Sequence, residues 1–216
     1  MISRLSVVFN LKKRVILPGT WRYLGQRCPN IHPASVPIAG KSIASITAEL
    51  KSECYRVGRV QVSNAFLLVK DRARFLYVRP DFTGYRRVAK KVFPKVNWAA
   101  DFDHSLSKRI ALVAGYKYVL LLRVPPEANR AHGAYEKKDQ LQSITPDVCF
   151  ADDRVLDKWL GRSPTIRNRP VHVLSGYAVE NVTVYGLTLK QRGHWAYAIG
   201  MDDVDLSMDG LTALDI

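Results

Sequence analysis

The first 48 residues contain no Asp or Glu, although they carry seven Lys and Arg. A segment with cations and no counter-charge cannot neutralise itself by local ion pairing, so its partner must be solvent or an anion. Cysteine is also scarce. Cys28, Cys54 and Cys149 are far apart and form no Cys-x-x-Cys pair. That excludes a disulfide framework and a zinc knuckle. Three reduced thiols point to a cytoplasmic protein. No run approaches the ~18 apolar residues a membrane span requires, so no membrane segment is expected. The start, residues 1–19, has only a short apolar run and lacks the cleavage signature of a secretory signal. Its acid-free stretch suits an organellar transit peptide, a basic arm on nucleic acid or an unstructured extension equally well. No low-complexity block, internal repeat, Gly-x-x-x-x-Gly-Lys loop or Gly-x-Ser-x-Gly elbow is present.

What is abundant is positive charge. Formal net charge is +14 over 216 residues, and the pI is near 9.9. Residues 49–140 hold nineteen Lys and Arg against nine acids. Residues 141–216 reverse the balance, with seven against ten. Such an excess attracts polyanions, of which DNA and RNA are the commonest, and binding gains from counterion release. A solvated basic surface without a partner is the plainer reading.

Residues 1–40 read as an irregular basic extension, broken by Pro18, Pro29, Pro33 and Pro37. Residues 41–200 read as one α+β domain. A helix is expected from Ser42 to about Arg56, and strands at Val57–Val62, Ala65–Val69 and Arg74–Arg79, with Asp71 and Arg72 at a hairpin turn. A helix over Tyr85–Phe93 places Tyr85, Val88, Ala89 and Val92 inward and Arg86, Arg87, Lys90 and Lys91 outward. Four cations on one face suit a phosphate backbone, or simply a solvated face. A short helix is expected from Asp152 to Gly161, with Asp152-Asp153 at its N-terminus. Strands are expected at Val171–Leu174, Val182–Leu189 and His194–Ile199, which makes His172 and His194 strand histidines. These strands would complete the supporting sheet. Residues 201–216 hold five Asp and no cation, and read as a disordered acidic tail or one that folds back over a basic groove.

The segment most suggestive of chemistry is Asp101-Phe102-Asp103-His104, which follows the apolar Trp98-Ala99-Ala100. A connection over Ser105–Gly115 leads to an almost unbroken β-type run, Tyr116–Val124. Pro125-Pro126 ends that run, and a helix opens at Glu127-Ala128-Asn129-Arg130-Ala131-His132-Gly133. Phosphodiester hydrolysis needs a hard cation held by oxygen ligands and a general base beside it. A strand-end Asp-His pair could aim at metal and at water, and Asn129 or His132, sharing a helix face, could close the metal site. Asp101 and Asp103 could instead be turn or N-cap residues before a helix at Ser105–Ala114. Tyr77, Tyr85, Tyr116, Tyr118 and Trp98 lie among cations and could stack on bases or pack in a core.

Asp101-x-Asp103-His104 followed by Asn129-Arg130 resembles the HNH family of endonucleases, whose fold is the ββα-metal (His-Me) finger. The resemblance covers residues 98–138. It implies such a finger embedded in a larger mixed α/β domain. By the same resemblance His104 is the general base, Asp103 and Asn129 are metal ligands, His132 is an alternative ligand, and Asp101 assists the metal or braces the loop. The ion would be Mg²⁺ or Mn²⁺, with Zn²⁺ a further candidate. Arg130, Arg109 and Arg123 would hold the phosphate backbone together with Arg86, Arg87, Lys90 and Lys91. The family's middle Asn has no counterpart, since no Asn occurs between His104 and Asn129; Ser105 or Ser107 could brace the base instead. The expected function is metal-dependent cleavage of DNA or RNA. The alternative is a nucleic-acid-binding protein without catalysis.

Overall fold

The computed structural model describes residues 18–93, 100–136, 146–162, 184–201 and 211–214. Its centre is β6 (Tyr118–Val124), buried along its whole length. A run this apolar, interrupted only by Arg123, sits where both faces of a sheet are covered. The antiparallel neighbour of β6 on one side is β4 (Ala73–Val78). Two short strands share its other side. β1 (Pro37–Gly40) pairs with residues 118 and 119, and β5 (Asp101–His104) pairs with residues 121–124. Beyond β4 come β3 (Ala65–Lys70), β2 (Glu53–Val57) and β8 (Leu211–Ala213); beyond β1 comes β7 (Val148–Phe150). The result is a mixed α/β fold around one antiparallel sheet.

The β3–β4 hairpin turns at Asp71 and Arg72, with φ of 48° and 69°. Two consecutive positive φ values give a tight turn whose twist matches the flanking strands. Strand alternation then divides the core. Ala65, Leu67, Leu76, Val78 and Leu121 face α3 (Tyr85–Val92), which packs Val88, Ala89 and Val92 on them. Arg74, itself buried, donates from Nη1 to the carbonyl of Val92 and caps the C-terminus of α3. Phe66, Leu68, Phe75, Tyr77, Leu120 and Leu122 face the other way. There they meet α2 (Ile43–Leu50), α4 (Lys108–Val113), α6 (Asp153–Trp159) and α7 (Leu189–Ala198) through Ile46, Ile110, Trp159 and Trp195. α5 (Pro126–Glu136) follows β6 and packs beside β5 and α6.

Several expectations change. Residues 18–40 are not an irregular extension: they supply α1 (Pro18–Gln26), a 3₁₀ turn at Pro33–Ser35 and β1, whose Ile38 and Ala39 are core. α2 stops at Leu50, because Lys51 enters the left-handed region at φ 50°. Cys54 therefore belongs to β2, and Gly58 (φ 57°) ends that strand before Val62. The apolar run His194–Ile199 is helical, within α7 and its C-cap, not a strand. Gly193 explains this: a Cβ there would lie 1.8 Å from the carbonyl oxygen of Trp21, so α7 and α1 approach backbone to backbone. Within Val182–Leu189, Val184–Gly186 form a 3₁₀ turn, and Leu189 begins α7. Val171–Leu174 and His172 lie outside the described residues. Part of the acidic tail, Leu211–Ala213, is ordered as β8 on β2. The expected order of strand, connection, strand, helix appears as β5, α4, β6 and α5.

Candidate functional site

β5 sends alternate side chains to opposite faces of the sheet, and this divides the expected constellation. Asp101 and Asp103 point to the face covered by α5 and α6. There Asn129 donates from Nδ2 to Oδ2 of Asp101 at 3.0 Å. Lys158 donates from Nζ to Oδ2 of Asp103 at 2.6 Å, with the two side chains only 4% and 16% exposed. His132, 1% exposed, donates from Nε2 to the carbonyl of Arg162 at 3.1 Å. Arg162 reaches Asp157 at 3.5 Å, and Arg154 reaches Asp152 at 3.9 Å. A polar cluster drawn from three elements therefore lies in one layer.

Phe102 and His104 point the other way, towards α3. Phe102 stacks at 6.2 Å on Phe93, and the His104 ring meets Tyr85 edge-on at 4.6 Å. The Nε2 atom of His104 is buried with no hydrogen-bond partner among the described residues. Burial, reinforced by the nearby Lys108 ammonium, pulls its pKa down to about 4. His104 and the Asp103–Asn129 face are thus separated by the strand itself. The role of base for an ion held there is corrected: the imidazole points to Tyr85, on the opposite side of the strand from Asp101, Asp103 and Asn129.

Arg123 is also corrected. It is fully buried, donates from Nε and Nη2 to the carbonyl of Tyr197 at 3.1 and 2.6 Å, and lies over the rings of Phe93 and Tyr197. It braces β6 against α7 and cannot reach a nucleic acid backbone. Arg130 is exposed on α5. Ser107 is the N-cap of α4, accepting from the Ile110 amide at 3.3 Å, and Ser105 is buried; neither is hydrogen-bonded to His104. Trp98 lies outside the described residues.

Among the described residues no group of three or more His, Cys, Asp or Glu is arranged to hold an ion. Asp101, Asp103 and Asn129 do place hard oxygen donors on one face, the chemistry Mg²⁺ or Mn²⁺ prefers. The fit is partial, because Lys158 already balances the charge of Asp103.

The outward face of α3 forms a second assembly. Arg86, Arg87, Lys90 and Lys91 are exposed, and among the described residues none has a carboxylate within 4 Å. Tyr85 links them to α4: Lys108 Nζ lies 4.6 Å and the Arg86 guanidinium 5.6 Å from its ring centroid. Arg109 is exposed next to Lys108. The charge on α3 is readable from its helical spacing. The contribution of Lys108 is not, because only the fold brings α4 to Tyr85. Lys158, Arg154, Asp157 and Arg162 escape sequence reasoning as well, since nothing local signals that α6 is buried on nearly every side.

Searches of known protein families, curated proteins and solved structures find no match to this chain.

Proposed function

We propose that this protein binds the phosphate backbone of nucleic acid through the outward face of α3 and the start of α4. The observation that carries this is the set of exposed cations on α3, Arg86, Arg87, Lys90 and Lys91, which have no paired acid among the described residues, with Arg86 and Lys108 of α4 both reaching the Tyr85 ring. Unpaired surface cations are not spent on internal ion pairs, and each phosphate they engage releases counterions. The long-range field of a chain at +14 adds steering. The test is fluorescence anisotropy with labelled duplex and single-stranded oligonucleotides. Replacing Arg86, Arg87, Lys90 and Lys91 by Gln should weaken binding at least tenfold. Equal affinity of the variant and the unmodified protein would reject this surface.

Metal-dependent cleavage of DNA or RNA stands as a second reading, favoured by the meeting of Asp101 and Asn129 across 28 residues of chain. Asp101, Asp103 and Asn129 would hold Mg²⁺ or Mn²⁺, and such an ion polarises a scissile phosphate. In this reading His104 takes no part, and Lys158 governs how much of the Asp103 charge is free for a cation. Plasmid nicking tests it. Activity should need the divalent ion, vanish with Asp101→Asn or Asp103→Asn, and survive His104→Ala. Nicking that persists in EDTA would reject the metal site, and loss on His104→Ala would restore the imidazole as base.

A further inference from the structure

α4 carries an exposed face that phosphate binding alone does not explain. At helical spacing Lys108, Arg109, Leu112 and Val113 fall within one arc of about 140°, and all four are exposed. The opposite arc, Ile110, Ala111 and the C-cap Ala114, belongs to the core. Leu112 and Val113 are 53% and 66% exposed, and among the described residues no other two large exposed apolar side chains are neighbours in the chain. A water-facing arc is ordinarily polar; half of this one is aliphatic. Its surroundings are cationic. Residues 104–126 hold no acid. Lys117 is exposed just past the turn at Gly115, where an added Cβ would meet nothing within 4 Å. Asp147, brought near by the backbone hydrogen bonds of Lys117 to Gly40 and of Lys41 to Asp147, is already paired with the Lys41 ammonium at 3.4 Å.

From this face we propose that α4 seats the protein on the surface of an anionic lipid bilayer, with Leu112 and Val113 entering the boundary between headgroups and acyl chains while Lys108, Arg109 and Lys117 hold lipid phosphates. Among the described residues no helix is long and apolar enough to cross a membrane; the contact is with the bilayer surface. Cations interleaved with aliphatic side chains match what that surface offers, an anionic layer lying directly over an apolar one. The other occupants fit less well. A stable protein interface buries roughly 800 Å² per partner, far more than two aliphatic side chains on a six-residue helix supply. A nucleic acid duplex presents phosphates but stacks the apolar faces of its bases inside. The cations of α3 adjoin the α4 face through Tyr85, which both Arg86 and Lys108 reach, and they add to the attraction. Each cation near an anionic leaflet strengthens binding about fivefold. The inference is independent of nucleic-acid binding, because it rests on Leu112 and Val113, which that reading does not use.

Co-sedimentation of the full-length protein with lipid vesicles tests this at ~150 mM salt. The protein should bind vesicles of phosphatidylcholine containing about 30% phosphatidylglycerol, and should not bind vesicles of phosphatidylcholine alone. Leu112→Gln combined with Val113→Gln, which keeps every charge, should weaken binding to the anionic vesicles about tenfold and leave duplex DNA affinity unchanged. A second variant, Leu112→Trp, reports insertion directly: its emission should shift to the blue when anionic vesicles are added, relative to the unmodified protein treated alike. Equal vesicle affinity of the double Gln variant and the unmodified protein overturns the inference, because charge alone then accounts for the binding. So does an emission from the Leu112→Trp variant that does not move. A double Gln variant that loses duplex DNA affinity along with vesicle affinity assigns the aliphatic pair to the nucleic-acid surface and overturns the lipid assignment as well. Vesicle binding that needs Leu112 and Val113, with no nucleic acid bound by any form, leaves the inference standing and removes the nucleic-acid reading.

Discussion

At the scale of the residue, the two histidines pulled towards a pKa of about 4 make a clear prediction. His104 is half-buried against Tyr85 with its Nε2 atom enclosed, and His194 stacks on Trp21 with ring centroids 3.7 Å apart. For both, burial is the larger cause of the shift, followed by a neighbouring lysine, Lys108 or Lys190. In the unfolded chain each binds a proton near pH 6.5, and in the folded protein only near pH 4. Between these values the unfolded state holds more protons. Stability is therefore complete above about pH 6.5 and falls as the pH drops towards 4, by at most about 1.4 kcal/mol per pH unit for each histidine. Thermal melts across that window should show a falling midpoint, and the fall should shrink in His104→Gln. A midpoint independent of pH there would contradict the burial of both rings. The Lys158–Asp103 pair predicts a second outcome. Lys158→Met leaves a carboxylate that is 16% exposed without its charge partner, and should cost about 3 kcal/mol in urea unfolding. Adding Asp103→Leu should recover much of that loss, because a buried pair replaced by apolar groups is often neutral. A full loss that persists in the double variant would mean Asp103 has a further role on that face.

At the scale of the element, α7 shows where sequence reasoning stops. Thr188 and Gln191 form a capping box at its start, with Thr188 Oγ1 accepting from the Gln191 amide at 3.3 Å. Thr188→Ala should therefore cost about 1 kcal/mol. Gly193→Ala should cost more, because its methyl group would meet the Trp21 carbonyl backbone. Unchanged stability of Gly193→Ala would show that the backbones of α1 and α7 do not touch. The run His194–Ile199 reads as a strand because the second half of α7, Trp195–Ala198 with its C-cap Ile199, is buried all round and has no polar stripe to reveal its period. α3 is legible for the opposite reason: cations and apolar residues alternate at helical spacing on a surface element. β3, β4 and their turn are legible through β-type runs around Asp71-Arg72. At the candidate site, the proximity of Asp101 and Asn129 matches the helix-closes-strand pattern read from residues 101–133. The face that His104 takes does not emerge, although strand alternation alone parts neighbours. Deciding which neighbour faces α5 requires knowing that Phe102 belongs to the α3 core.

At the scale of the whole molecule, the sheet separates two surfaces with different electrostatics. On the side of α5 and α6, two ion pairs match charges: Lys158 with Asp103, both largely buried, and the exposed Arg162 with the buried Asp157. On the side of α3, the cations Arg86, Arg87, Lys90 and Lys91 are exposed and, among the described residues, have no carboxylate beside them. Binding of a polyanion should therefore depend on the second surface and be indifferent to the first. The salt dependence of duplex DNA affinity, measured between about 50 and 200 mM monovalent salt, tests this most directly. Log affinity should fall linearly with log salt, and each phosphate neutralised by a cation should steepen the slope by about 0.9. Replacing Arg86, Arg87, Lys90 and Lys91 by Gln should flatten it by about 3, whereas Arg130→Gln should change it by less than about 1. A slope that is flat in the unmodified protein, or unaltered by the fourfold substitution, would contradict the account.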